Sequence, residues 1–195
     1  MDSIVIGESL TTDEFMNLRE CANLHIEYDE GRVFNVVPVS GAHASVQTNL
    51  VFIFNLFLGS RNTVVSEPYG LKTGADSYLL PDIQVIEDNR TELPDYYYDG
   101  VPRLIVEIMS KSSRKRDSVD KLRKYLKLRV PEYWTVDLAN QRLDVNILED
   151  RKYVCHTFVP GETVDCGMLQ EFNLQTEYIF KGRVTFETFR DIMDK

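Results

Sequence analysis

Two carboxylates stand where the chain otherwise reads as apolar strand. Asp82 follows Pro81 and opens Asp-Ile-Gln-Val-Ile86, and 25 positions later Glu107 interrupts Leu104-Ile-Val-Glu-Ile-Met109. A charge inside a buried strand is costly unless it is paired or binds a metal. Two such charges on neighbouring strands can hold one divalent cation between them, with the main-chain carbonyl of Ile108 as a third oxygen. That donor set suits Mg²⁺, which takes octahedral oxygen coordination and keeps several waters, and Mn²⁺ could replace it. The chemistry expected is phosphodiester hydrolysis by a metal-activated water. The bland alternative makes Asp82 a loop cap after Pro81 and Glu107 an arginine partner on a sheet edge.

Such a site also needs a fixed positive group. Strand side chains alternate with period two, so a lysine two residues after the glutamate would share its face. Met109 holds that position. The nearest substitutes are Lys111, just past the strand, and Lys121 or Lys124 on the helix that follows. Lys121 lies one turn before Tyr125 and on the side of Val119 and Leu122, so it can lean toward the core; a snorkelling surface lysine is the alternative. Glu27, between Ile26 and Tyr28, repeats the buried-charge pattern. It either joins the acidic cluster or faces solvent. His43, in the first turn of a long helix, either contacts a phosphate, orients a carboxylate, or is merely a surface or capping residue. Gln84 shares the sheet face of Asp82 and is expected to line the site.

The net charge of −9 disfavours nucleic acid at first sight, yet residues 103–129 hold ten basic and three acidic side chains. That segment is +7 and the remainder −16. A positive stretch beside paired carboxylates is what a phosphate-processing site needs. Lys111, Arg114, Arg116 and Lys124 are the expected nucleic-acid contacts, with a solvated amphipathic helix as the alternative reading.

The elements that must position these groups follow from local patterns. Thr11-Thr-Asp-Glu14 reads as a capping box opening a short helix. Leu24–Tyr28 and Arg32–Val37 flank Asp29-Glu-Gly31, a hairpin signal. A strongly periodic helix runs from Ser40 to Gly59, and strands are expected at 63–67 and 82–87 with a loop between them. Ser112-Ser113 can cap the basic helix. Strands follow at Glu132–Asp137, Leu143–Leu148 and Tyr153–Phe158, then a last strand and a helix around Thr185–Met193. Helices around a mixed sheet give an α/β or α+β class, and 195 residues without a long linker give one domain. Three cysteines without a C-x-x-C pair argue against disulfides or zinc and for a reducing cytoplasm. The apolar runs are too short to span a bilayer, and the first residues lack a signal-peptide pattern.

Taken in order, Pro81-Asp82, Val106-Glu-Ile-Met-Ser110, Ser112-Ser113, Arg116-Asp117, Lys121, Tyr125 and Val130-Pro-Glu-Tyr-Trp-Thr-Val-Asp137 resemble the bacterial “putative restriction endonuclease” family of the PD-(D/E)XK nuclease superfamily. Thr12-Asp-Glu-Phe15, Ile26–Arg32 and His43 extend the resemblance to about residues 10–180. It implies a restriction-endonuclease-like fold, a central mixed sheet flanked by helices, and Mg²⁺-dependent hydrolysis of DNA. It also implies that Asp82 and Glu107 bind the metal, that Lys121 is supplied from the helix, and that Glu27 is the extra N-terminal acid. An enzyme that cuts both strands is expected to be a homodimer. Met109 at the strand-lysine position favours the alternative, a catalytically degenerate nuclease fold kept for binding or regulation. A small-molecule phosphohydrolase is a third class; the chain has no G-x-x-x-x-G-K phosphate loop.

Overall fold

Glu30 and Gly31 both take left-handed backbone conformations, with φ of 47° and 86°. That geometry matches the twist of paired strands, and it folds β2 (Ile26–Asp29) onto β3 (Arg32–Val36) as a two-residue hairpin. The computed structural model describes residues 3–7, 9–22, 25–36, 38–59, 61–87, 92–109, 117–182, 184, 185, 187 and 190. The expected capping box is formed: the Thr11 N–H donates to Glu14 Oε2 at 2.8 Å, and the Glu14 N–H donates to Thr11 Oγ1 at 3.3 Å. It starts α1 (Thr12–Ala22), which seats Phe15 on Tyr28 and Tyr78 at ring-centroid distances of 4.9 and 5.6 Å.

Several strands lie where the sequence reading had none. β1 (Ser3–Gly7) adds to β3 antiparallel. The stretch expected as a loop before Asp82 contains a hairpin, β5 (Gly70–Gly74) with β6 (Ser77–Leu79). β6 pairs with β2, and β8 (Tyr97–Tyr98) lies parallel to β5. Among the described residues these strands form a six-stranded sheet in the order β1-β3-β2-β6-β5-β8.

A second mixed sheet carries the apolar runs. β4 (Thr63–Ser66), β7 (Ile83–Ile86), β9 (Leu104–Met109), β10 (Glu132–Asp137), β11 (Arg142–Glu149) and β12 (Lys152–Phe158) align as β12-β11-β10-β9-β7-β4. β9 is antiparallel to β7 and parallel to β10. A parallel pair cannot be joined by a tight turn, so the chain must cross over one face of the sheet. The described part of that crossover is a π-helical turn, Asp117–Lys121, running into α3 (Leu122–Leu128).

Alternation along the buried strands sorts side chains between two cores. Leu104, Val106, Ile108, Trp134 and Val136 pack with α2 (Gly41–Phe57) through Val46, Leu50, Ile53 and Phe54. Ile105 and Tyr133 face the other way, toward Tyr125 of α3 and Leu71 and Leu79 of the first sheet. Glu107 is flanked by Val106 and Ile108 but is in phase with Ile105, so it points at the crossover. A ribbon of β13 (Thr163–Val164) and β14 (Leu174–Gln175) and the short α4 (Glu177–Phe180) close the α2 side. The expected C-terminal helix and the Ser112-Ser113 cap fall largely or wholly outside the described residues. Among the described residues no helix is long and apolar enough to cross a membrane.

Candidate active site

The crossover delivers a lysine to the carboxylates. Lys121 ends the π-helical turn, and its Nζ lies 3.0 Å from both Glu107 oxygens and 3.1 Å from Glu27 Oε1. Tyr125, one turn on, donates its hydroxyl to Glu107 Oε1 at 2.6 Å. Glu27 Oε1 also accepts the Leu80 N–H at 3.0 Å, which ties this acid to the end of β6. Asp82 precedes β7, and its Oδ2 accepts the Ile108 N–H at 2.5 Å, next to Glu107 in the chain. Residues from four separate segments thus meet. Their exposures are 1% for Asp82, 5% for Glu27, and 6% for both Glu107 and Lys121. The exposed-face alternative for Glu27 and the snorkelling alternative for Lys121 do not describe this structure.

His43 is 2% exposed, in the first turn of α2, where its N–H donates to Ser40 Oγ. Its Nε2 comes within 3.2 Å of Asp82 Oδ1. That contact is not a hydrogen bond: Asp82 Oδ1 and both ring nitrogens have no hydrogen-bond partner among the described residues. Gln84 is fully buried, and its amide donates to the carbonyls of Tyr69 and Gly70 at 3.0 and 3.4 Å. It holds the strand leading out of the site rather than presenting its amide to a substrate. Met109 is buried at the end of β9, in phase with Glu107. Lys124 Nζ is paired with Asp29 and donates to Ser77 Oγ at 2.9 Å, so its charge is directed into the fold. Lys111, Arg114 and Arg116 lie outside the described residues.

Glu67, which the sequence reading missed, is the fourth acid of the cluster. Its N–H donates to the Asp82 carbonyl at 3.3 Å, and its buried Oε2 has no hydrogen-bond partner among the described residues. Burial first, and then the Asp82 charge, push its carboxyl up to about 7, against the pull of His43 and Lys121. Burial likewise pushes Glu107 up to about 8, with Lys121 opposing and Asp82 and Glu27 adding to the rise. Among the described residues, four carboxylates therefore share one lysine and one histidine, and the cluster is short of positive charge. A hard divalent cation would meet that shortage, and Asp82 Oδ1, which accepts no hydrogen bond among the described residues, is an oxygen that would suit one. Among the described residues no three His, Cys, Asp or Glu side chains surround a common point. The ligands of such an ion would then be two carboxylates, completed by main-chain oxygen and water.

Residues 12–177 match the family model described as “Uma2: Putative restriction endonuclease”. The chain belongs to the Uma2 family. It is also similar to a crystal structure from Anabaena variabilis described as a putative nuclease belonging to DUF820. The two are 21% identical over 88% of this chain and 97% of that one, with a TM-score of 0.73. At that identity the likeness establishes the fold, a nuclease-like mixed α and β architecture. A comparison with curated proteins finds no match. The Uma2 match spans the cluster from Glu27 to Lys121, so every element that builds it lies inside the family's extent.

Proposed function

We propose that this Uma2 protein is a cytoplasmic, single-domain endonuclease that hydrolyses DNA phosphodiesters with Mg²⁺, or Mn²⁺ in its place. The observation that carries the reading is Lys121 Nζ at 3.0 Å from both oxygens of Glu107, beside Asp82 in a buried acidic cluster. The family description and the nuclease named for the structural neighbour support it. Asp82 and Glu107 would hold the cation, with the Ile108 carbonyl as third protein oxygen. Once bound, it would polarise a phosphate oxygen and acidify water. Lys121 fixes a positive charge beside the Glu107 carboxylate, where negative charge develops during in-line attack. Tyr125 sets the rotamer of Glu107, and His43 flanks Asp82. Two-strand scission calls for two copies, so a homodimer belongs to the proposal.

Met109 in place of a strand lysine favours a second reading, a nuclease fold retained for binding DNA without cutting it. Nicking of supercoiled plasmid and digestion of single-stranded DNA, with Mg²⁺ or Mn²⁺ and with EDTA, separates the two. The enzyme reading expects metal-dependent cleavage that is lost in Asp82→Ala and Lys121→Ala. No cleavage, together with no calorimetric Mn²⁺ binding, would leave the binding module standing.

A further inference from the structure

The helix that supplies Lys121 is short. α3 has seven residues and continues a five-residue π-helical turn that ends at Lys121. So short a helical run is marginal on its own in water. Its C-terminus is closed locally, where Arg129 adopts φ 62° and the Val130 N–H donates to the Tyr125 carbonyl. Something other than propensity must fix the N-terminal half, because the placement of Lys121 Nζ depends on it.

The two lysines on that half are three apart, on one helix face. The two acids they meet, Glu27 and Asp29, are two apart on one face of β2. Helix and strand thus face each other through a ladder of two ion pairs, Lys121 with Glu27 and Lys124 with Asp29. Each rung also engages β6: Glu27 accepts the Leu80 N–H, and Lys124 donates to Ser77, which pairs directly with Asp29 in the sheet. Ser77 Oγ is itself held by the Thr73 hydroxyl at 2.8 Å. The inner rung sits inside the acidic cluster. The outer rung borders a cleft of about 440 Å³ lined by Asp29, Asp76, Ser77, Arg123, Lys124 and Lys127, among others.

We infer that Asp29, Lys124 and Ser77 form a clamp that positions Lys121 over Glu107, so that Asp29 and Lys124 are positioning residues of the catalytic centre. The inference rests on the reading of Lys121 as that centre's fixed cation. It also replaces a DNA-phosphate role for Lys124, whose ammonium is already engaged by Asp29 and Ser77.

The two roles predict different kinetics. As a clamp, Asp29→Asn and Lys124→Gln each lower kcat for plasmid nicking by about tenfold to a hundredfold, the scale for a misplaced catalytic group, with KM within about twofold. Their effects overlap in the double variant instead of multiplying. Lys124→Arg recovers most of the activity, and so does the charge swap Asp29→Lys with Lys124→Asp. Were Lys124 a phosphate contact, Lys124→Gln would raise KM and flatten its salt dependence while Asp29→Asn stayed silent; that pattern overturns the clamp. A second readout needs no cleavage. Trace acetylation of the metal-free protein should label Lys121 several-fold faster in Asp29→Asn, with Lys152 unchanged. If wild type does not cut DNA but Lys121 labelling responds to Asp29, the function fails and the clamp stands. Unchanged Lys121 labelling in Asp29→Asn removes the clamp, whatever the nuclease assay gives.

Discussion

Tyr125→Phe removes one hydroxyl from the centre of this site and leaves the ring packing intact. In the wild type that hydroxyl donates to Glu107 Oε1 at 2.6 Å, and both side chains are buried, so no water can replace it. A hydrogen bond to a neutral acceptor contributes about 1 kcal/mol, and one to a charged acceptor about 1.5–3 kcal/mol. Which value applies depends on whether Glu107 is ionised. Its carboxyl sits at about 8 in the fold against 4.5 for an ordinary glutamate, chiefly because burial opposes the charge. An acid whose pKa is raised by folding contributes stability at low pH that is lost as pH climbs toward the folded value. The Tyr125 bond favours the ionised form, so its loss raises the folded pKa further and extends the loss to higher pH. The variant should therefore be less stable by about 1 kcal/mol at pH 6, and by about 2–3 kcal/mol at pH 9.5. Tyr125 remains a donor across this range, since burial pushes its own pKa well above the ordinary tyrosine value. Urea unfolding of both proteins in EDTA at the two pH values measures the gap. A gap that is equal at both, or larger at pH 6, would mean that Lys121 already holds Glu107 ionised and that burial does not govern the site.

Further expectations concern the rest of the chain. Glu132 is buried on β10, accepting from Trp134 Nε1 at 2.5 Å and the Met168 N–H at 2.8 Å, and burial lifts its carboxyl to about 7. Stability should thus fall between about pH 4.5 and pH 7, and Glu132→Gln should flatten that part of a urea-midpoint profile. Gly167 has φ of 68°, and a Cβ there would overlap the Glu132 carboxylate. Gly167→Ala should cost about 2–3 kcal/mol in denaturant unfolding, and a neutral result would show that this turn can shift. Met109→Lys, added to Lys121→Ala, should restore part of any metal-dependent nicking, because residue 109 is in phase with Glu107 on β9. Failure to restore it would mean that strand and crossover lysines are not interchangeable here.

The legible part of this site was the part that is anomalous within its own segment. Asp82 and Glu107 stand out because a charge interrupts an apolar run, and the alternation of β9 sets the face of Glu107 without tertiary information. Lys121 was readable from its helical spacing to Tyr125. The Tyr125 hydroxyl was not, since the residue satisfies an apolar position and nothing in the pattern shows that its polar end meets Glu107. Glu67 is invisible for a different reason. A glutamate before proline at the end of a strand looks like a surface turn, and only the antiparallel register of β4 on β7, with Ser66 opposite Ile83, carries it to Asp82. The β5–β6 hairpin was missed because its strands are short, β5 is bounded by Gly70 and Gly74, and β6 is stabilised by pairing with β2, more than forty residues earlier.

That last miss bears on the chemistry. A strand lysine at position 109 would be fixed by the same ladder of hydrogen bonds that fixes Glu107. A lysine on the crossover is fixed only if the crossover is docked. The surface it docks on is β2, which the hairpin signal shows, and β6, which the sequence does not. The first sheet is therefore part of the site's machinery: it supplies Glu27, and through Asp29 and Ser77 it holds the segment that carries Lys121. Moving the lysine off β9 makes the geometry of the centre depend on the packing of two sheets, where a strand lysine would depend on one. High salt, which weakens the half-exposed outer pair far more than the buried inner one, should consequently lower kcat at saturating DNA before it unfolds the protein. If added salt acted on KM alone, the lysine would be held without help from the first sheet.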